Sequence, residues 1–362
     1  MPLNSYITLG TSGLRVSPLC LGTMTFGEDW GWGSSVADAQ SMLARYLERG
    51  GNFIDTANLY TKGHAEKIIG DFLSSDRVHR DRVVIATKFF CNLYRGDPNG
   101  GGAGRKAIVA QCEHSLRRLQ TDYIDLYWLH QWDKFTPVEE TMRALDDLVT
   151  AGKVRYIGFS DTPAWKVAQA QTIAQFRGWA PLIALQIEYS LLERSVEGEL
   201  MPMAQELGLG VTPWSPLHSG ALSGKYTREN AGRTAKADRG EEMIGSLTEK
   251  DYALIDQLAE IAHELGTTTA AVALAWVQGQ PGVASTIIGA RTLRQLDENL
   301  AALDVQLSLA QVAALDHLSE PTLDFPARIL KRSPSYAHAG ATVDGEPSTA
   351  LLDVPKNDQE RY

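Results

Sequence analysis

Six residues that are costly to bury each close a short apolar run: Asp55, Lys88, His130, Ser160, Gln186 and Ser215. Tyr60 follows just after the first of them. Singly, each has an ordinary explanation. Asp55 can cap the turn Asp55-Thr56-Ala57-Asn58, Lys88 can reach past its strand to water, His130 can be a satisfied core histidine, and Tyr60 can simply pack. Together they describe a proton donor. Tyrosine titrates near 10 in isolation, and a neighbouring ammonium, Lys88, favours phenolate and pulls Tyr60 down. Asp55 paired with Lys88 keeps the amine charged and aimed in apolar surroundings, and His130 adds a hydrogen bond at the same oxygen. Such a group protonates an oxygen that gains negative charge, as a carbonyl oxygen does when its carbon takes up hydride. The hydride must come from outside these side chains, which implies a nicotinamide.

The elements that must bring these residues together alternate along the chain. Apolar, β-branched runs cover Ser17–Gly22, Asn52–Asp55, Arg82–Lys88, Ile124–His130, Val154–Ser160, Leu182–Glu188, Gly210–Ser215 and Ser285–Gly289. Stretches of helical period separate them: Val36–Arg49, Ala65–Leu73, Lys106–Leu119, Val138–Ala151, Ala164–Arg177, Ser195–Leu207, Lys250–Leu265 with Thr269–Gln278, and Thr292–Ala302, followed by Ser308–Leu318. Eight strand–helix pairs in strict alternation predict a parallel sheet closed into a (β/α)8 TIM barrel, whose strand C-termini converge on one face. The near-continuous apolar character of the runs suits strands covered on both faces. Tyr6–Leu9 and Leu14–Val16, joined by Gly10–Gly13, read as a hairpin plug. The competing fold is an open doubly wound sheet, which should carry GxGxxG at its first strand–helix turn. Here that turn reads Gly22-Thr23-Met24-Thr25-Phe26-Gly27, without the spacing. One barrel domain is expected over residues 1–332, with a long Gly- and charge-rich insertion at Pro216–Leu247 and a polar, irregular, mobile tail over 333–362.

Composition narrows the remaining classes. The 362 residues are 44% hydrophobic and 22% charged, ordinary for a globular chain. A formal charge of -10 without a Lys/Arg-rich run argues against nucleic-acid backbones and anionic membranes as partners. Cys20, Cys91 and Cys112 are sparse and unpaired in spacing, which favours a reducing compartment over a disulfide framework or structural zinc. Met1–Gly10 has no signal-peptide pattern, and the apolar stretch Ala270–Val277 is far short of the roughly 20 residues a membrane span needs. A cytoplasmic location is the expectation. Alternative chemistries lack their motifs. There is no Tyr-x-x-x-Lys, no Gly-x-Ser-x-Gly elbow and no HExxH, and Gly220–Tyr226 is one residue short of a P-loop. No metal is expected.

From about Tyr6 to Leu318 the chain resembles the aldo-keto reductase superfamily. The matching pieces are Gly51-Asn52-Phe53-Ile54-Asp55-Thr56-Ala57 with Tyr60, Ile85-Ala86-Thr87-Lys88, Asp122–Tyr127 ending at His130, Gly158-Phe159-Ser160, Gln186-Ile187-Glu188-Tyr189, Trp214-Ser215-Pro216-Leu217 and Gly220–Tyr226. The resemblance implies a catalytic tetrad of Asp55, Tyr60, Lys88 and His130, the four already singled out, with Tyr60 as proton donor. It also implies cofactor contacts. Gly22, Thr23 and Met24 lie near the nicotinamide ribose, Ser160 and Gln186 hold the carboxamide, and Asp161 stands where many members have Asn or Arg. Trp214 stacks on the nicotinamide, and Ser215, Pro216, Leu217, Ser219 and Lys225 form the pyrophosphate stretch. After the last strand, in the run Ile288-Gly289-Ala290-Arg291, the resemblance turns Arg291 and Gln295 to the adenosine 2′-phosphate and Glu298 and Asn299 to adenine. A guanidinium near a helix N-terminus suits a phosphate, so NADPH/NADP+ is favoured over the unphosphorylated pair.

The style of the insertion and the Trp-Ser-Pro-Leu stretch look closest to the branch holding aryl-alcohol dehydrogenases, bacterial reductases of broad range and potassium-channel β subunits. The expected activity is therefore NADPH-dependent reduction of an aldehyde or ketone. The alternatives are an NADP(H)-binding regulatory subunit with weak turnover, or a keto-sugar or polyketide reductase. His130, where channel subunits commonly have Asn, favours a working reductase. Trp30, Trp32, Phe89, Phe90 and Trp132 sit in loops at the same end of the barrel, with Gly27, Gly31 and Gly33 around the first two. They suggest a wide apolar pocket for an aromatic or bulky carbonyl substrate, under a loop that can rearrange.

Overall fold

Eight short strands carry the barrel: β3 (Leu19–Gly22), β4 (Phe53–Asp55), β5 (Val84–Phe89), β6 (Ile124–Leu129), β7 (Val154–Ser160), β8 (Leu182–Glu188), β9 (Gly210–Trp214) and β10 (Thr286–Gly289). In the computed structural model, which describes residues 1–74, 79–228, 247–350, 354–355 and 357–361, they hydrogen-bond in parallel in the order β10-β3-β4-β5-β6-β7-β8-β9. A bridge between Val211 and Val283 brings the two ends of the sheet together. There the Ala284 N–H donates to the Val211 carbonyl at 2.8 Å. This is a TIM barrel.

The helices between the strands are α1 (Val36–Glu48), α2 (His64–Leu73), α3 (Arg105–Leu119), α4 (Val138–Thr150), α5 (Ala164–Arg177), α6 (Leu200–Glu206), α7 (Glu249–Leu265), α8 (Thr269–Gln278) and α9 (Leu293–Leu300), with α10 (Leu309–Leu318) after them. Local chemistry sets their ends. Ser35, Thr248, Thr268, Thr292 and Ser308 each accept a backbone N–H of the first turn. Gly178 and Gly266 close α5 and α7 in the left-handed conformation. Most expected boundaries move by a residue or two, and the expected helix Ser195–Leu207 splits into a 3-10 turn at Ser195–Glu197 and the shorter α6. Arg80–Arg82 form a short 3-10 turn, so β5 starts at Val84, and β6 stops at Leu129, leaving His130 as the first residue beyond it.

The period of two along each strand divides the core in two. In β5, Val84 and Ala86 point into the barrel with Phe53, Leu126 and Trp128, while Ile85 and Phe89 point out to the helices. Lys88 shares the inward parity. The inner volume is tightly filled. A Cβ on Gly158 would meet the Trp128 ring at 2.4 Å, so glycine is what lets that indole occupy the interior. The base is closed by the hairpin β1 (Ile7–Thr8) and β2 (Arg15–Val16), where Leu9, just after β1, and Val16 of β2 are fully buried in the inner core. Gly10 makes the closest approach, at a φ of +59°, where a Cβ would strike the Ile183 carbonyl.

Residues 229–246, most of the stretch Pro216–Leu247, lie outside the described residues. The tail differs from the irregular chain expected. It holds a single-turn helix at Ser333–Ala337 and a minimal hairpin pairing Thr342–Val343 with Glu346–Pro347, with nearly every described position exposed. Polar sequence there prevents a buried face but not local turns, which a His338–Ala341 backbone bond and the Ser348 hydroxyl bonds complete.

Candidate active site

Lys88 is 0% exposed and Asp55 2%. A charge so placed must be matched by another, since an unpaired ion in such surroundings costs several kcal/mol. Asp55, at the inward end of β4, meets it: Lys88 Nζ donates to Asp55 Oδ2 and also to the Thr56 carbonyl at 2.9 Å. The third donor direction of the ammonium goes to Tyr60, whose hydroxyl lies 3.1 Å from Nζ. Tyr60 opens a short 3-10 turn after β4, and its ring stands edge-on to the His130 imidazole at 6.1 Å between centroids. The four residues thus meet at the C-terminal end of adjacent strands.

Burial works against the Lys88 charge, but Asp55 and Tyr60 outweigh it and hold the ammonium above its ordinary value. Tyr60 departs from the sequence expectation. Burial raises the phenol more than the Lys88 charge lowers it, so its pKa moves up, not down. Desolvation of a would-be phenolate exceeds the attraction of a cation already shared with a carboxylate. The consequence is a phenol that stays protonated at neutral pH. Burial, with Lys88 adding its repulsion, pushes His130 down to about 3, so the imidazole is neutral. Cys91 Sγ lies 3.7 Å from His130 Nδ1, and burial keeps that thiol protonated. Nε2 is the ring nitrogen left for a ligand.

Around this centre stand the residues expected to hold a cofactor. Gln186 Nε2 donates to Asp55 Oδ1 at 3.0 Å, so its oxygen is the group left to meet a carboxamide. Ser160 is buried on the inward side at the end of β7. Trp214 is half-buried at the end of β9, with its indole N–H donating to Asp161 Oδ1 at 3.0 Å. Thr23 is fully buried and donates through both its N–H and its hydroxyl to the Asp55 carbonyl. Gly22 carries no side chain where a Cβ would press on Ile287 at 2.6 Å. Met24 is half-buried beside them.

The segment after β9 folds back through left-handed residues at Ser215, His218, Ser219, Gly220 and Gly224. Pro216 is buried, Leu217 packs against the outer core, the Ser215 hydroxyl accepts from the Ser219 N–H, and Lys225 is exposed. Turns of this kind point backbone dipoles into a concavity and suit an anion. Beyond β10, Arg291 precedes the N-terminus of α9, and Gln295 Oε1 accepts its N–H at 2.8 Å. Glu298 is engaged by Arg294 at 3.2 Å, and Asn299 Nδ2 donates to the Gly289 carbonyl. Ile288 and Ala290 are buried, which limits any part they take in binding to their backbone. The residues fit a phosphorylated nucleotide: inward amide and hydroxyl groups at the mouth, an anion-suited turn, and a guanidinium ahead of a helix.

Phe89 does not belong with the pocket aromatics. It is 0% exposed and packs tilted against Tyr127, 4.8 Å between centroids, in the outer core, because its parity in β5 is opposite to that of Lys88. Trp30 and Trp32 pair at 5.4 Å, both half-buried, and Trp132 is half-buried with Lys166 over its ring. Sequence reasoning passed over three supports: Cys91 beside His130, the Asp161–Trp214 bond, and Glu66. The last is fully buried on α2 and takes bonds from Thr87 and Arg118, both at 2.6 Å, which anchors β5 from outside. Its place on the apolar face of α2, between Ala65 and Ile69, was the available signal.

The profile of the Aldo/keto reductase family matches residues 18–320. The chain belongs to that family, and with it to the oxidoreductases that act on small carbonyl compounds with nicotinamide cofactors. It is 41% identical over 312 residues to YrpG, an uncharacterized oxidoreductase of Bacillus subtilis (strain 168), covering 83% of this chain and 92% of that protein. It is 37% identical over 335 residues to norsolorinic acid reductase stcV of Emericella nidulans, covering 90% and 84%. A "Probable voltage-gated potassium channel subunit beta" of Oryza sativa subsp. japonica is 37% identical over 337 residues, covering 91% and 99%. Among the described residues no helix is long and apolar enough to cross a membrane, and no group of side chains has the arrangement of a metal site.

Proposed function

We propose that this chain reduces an aromatic or otherwise bulky aldehyde or ketone to its alcohol with NADPH, Tyr60 giving the proton. The observation that carries the reading is the series from buried Asp55 and Lys88 to half-buried Tyr60, which ends on a phenol that keeps its proton at neutral pH. Bound NADPH supplies the hydride. Ser160 and the Gln186 oxygen would hold its carboxamide, Trp214 its ring face, the Ser215–Lys225 segment its pyrophosphate, and Arg291 with Gln295 its 2′-phosphate. Tyr60 and the Nε2–H of a neutral His130 then bracket the carbonyl oxygen. As that oxygen becomes alkoxide it is more basic than phenolate, and the Tyr60 proton moves to it. Lys88 stabilises the phenolate left behind, and Asp55 holds Lys88 in place. The paired Trp30 and Trp32, with Trp132, supply flat apolar walls for an aromatic substrate.

The testing experiment is stopped-flow oxidation of NADPH by a carbonyl panel led by 4-nitrobenzaldehyde, on wild type and Tyr60→Phe. Wild type should turn over aromatic members. Tyr60→Phe should lose about 10²- to 10⁴-fold in rate while still binding NADPH, because only the acid is removed. Undiminished rates in Tyr60→Phe would overturn the assignment. NADPH binding without turnover of any panel member would instead favour the regulatory-subunit reading that the potassium-channel relative suggests.

A further inference from the structure

An indole at the rim of a barrel has several orientations open to it. Trp214 is half-buried, with only part of the ring against the inner core. Its N–H is a donor and nothing else, so the acceptor it finds selects one orientation. That acceptor is Asp161 Oδ1, at 3.0 Å. Asp161 is itself held from two other sides: its N–H donates to the Gln186 carbonyl at 3.2 Å, and its carbonyl accepts from the Trp132 N–H at 3.4 Å. It directly follows β7, and its φ of +41° turns the chain out of the strand. Asp and Asn tolerate that left-handed backbone better than most residues with a side chain. One residue therefore ties the end of β7 to β8, to the loop carrying Trp132 and to the indole ending β9.

We infer that Asp161 is a positioning residue, which orients the Trp214 indole as the wall for the nicotinamide ring. The inference rests on the cofactor reading above. Without the acceptor, the indole samples other orientations, and nucleotide binding must then select one of them at a cost in affinity.

The test uses the full-length protein with 15N-labelled tryptophan, and NADP+ as the probe. Trp214→Phe assigns the Trp214 indole N–H resonance by its disappearance. Asp161→Gly removes the acceptor while keeping the left-handed backbone accessible, and Asp161→Ser, too short to reach, replaces it should the glycine variant not fold. Asp161→Asn keeps an acceptor oxygen. The resonance should move upfield in Asp161→Gly and stay near its wild-type position in Asp161→Asn. Calorimetry should show NADP+ binding about fivefold weaker in Asp161→Gly and near wild type in Asp161→Asn. In the Trp214→Phe background the same Asp161→Gly change should have less than about a twofold effect, since its partner is gone. An unmoved resonance, or an equal loss of affinity in both backgrounds, overturns the inference. A wild type that binds no NADP+ strikes the cofactor reading instead, and the orientation of the indole is then decided on the resonance alone.

Discussion

Gln186 and Asp55 lie 131 positions apart in the chain and meet across the barrel mouth, where the amide donates to Oδ1 at 3.0 Å. Lys88 holds the other oxygen, so both oxygens of the carboxylate are engaged and its plane is fixed from two strands. Fixing Asp55 fixes Lys88, and through it the Tyr60 hydroxyl. The proton donor is thus set by residues that never reach it.

Removing one partner of this pair should cost far more than removing both. Asp55→Ala leaves Lys88 charged at 0% exposure, and the expected loss is about 3–5 kcal/mol. The double change Asp55→Ala with Lys88→Met should recover much of it in urea denaturation. Because Lys88 sits above its ordinary value, its contribution is full below about 10.4 and lost only as pH climbs through the higher folded value. Stability between pH 7 and 10 should show no decline traceable to this pair.

Burial of His130 predicts an acid-side effect of opposite origin. Its folded value of about 3 lies below the unfolded value, about 6.5. In that window the unfolded chain takes up a proton that the folded chain refuses, so stability falls as pH drops from about 6.5 toward 3. His130→Gln should flatten that part of a plot of denaturation midpoint against pH. The wild-type profile of kcat/KM should carry no inflection near 6.5 that the variant abolishes.

Gly158→Ala tests the packing beneath the site. The added carbon would fall 2.4 Å from Trp128, whose ring is locked inside the barrel. Overpacking of this kind costs about 1–3 kcal/mol, read as a lower melting temperature. Ser160, two residues along the same strand, should shift with it and raise the Kd for NADP+.

Arg291→Ala addresses the preference between cofactors. A charged hydrogen bond to phosphate is worth about 1.5–3 kcal/mol, so the ratio of KM for NADH to KM for NADPH should fall roughly 10- to 100-fold. An unchanged ratio removes Arg291 from the phosphate.

The strands, the hairpin and the grouping of Asp55, Tyr60, Lys88 and His130 could all be read from the chain because period and residue type carry them. An inward Lys at the end of an apolar run is costly anywhere except beside an acid. Phe89 was misread because it lies one position past Lys88, where a strand still alternates but a loop does not. The direction of the Tyr60 shift was illegible for another reason. It is the balance of two opposed effects, and desolvation depends on how deeply the phenol sits, which no local pattern records. The bonds from Gln186 to Asp55 and from Trp214 to Asp161 join separate strands, so no local spacing records them.

Leu9 and Val16 make the barrel a cup and not a pipe. With the interior filled as well, the rim that carries Tyr60 and Trp214 is the end left for a ligand among the described residues. On the proposed function, reactant and product would take turns at that one end, and a molecule bulky enough to linger there would block its successor.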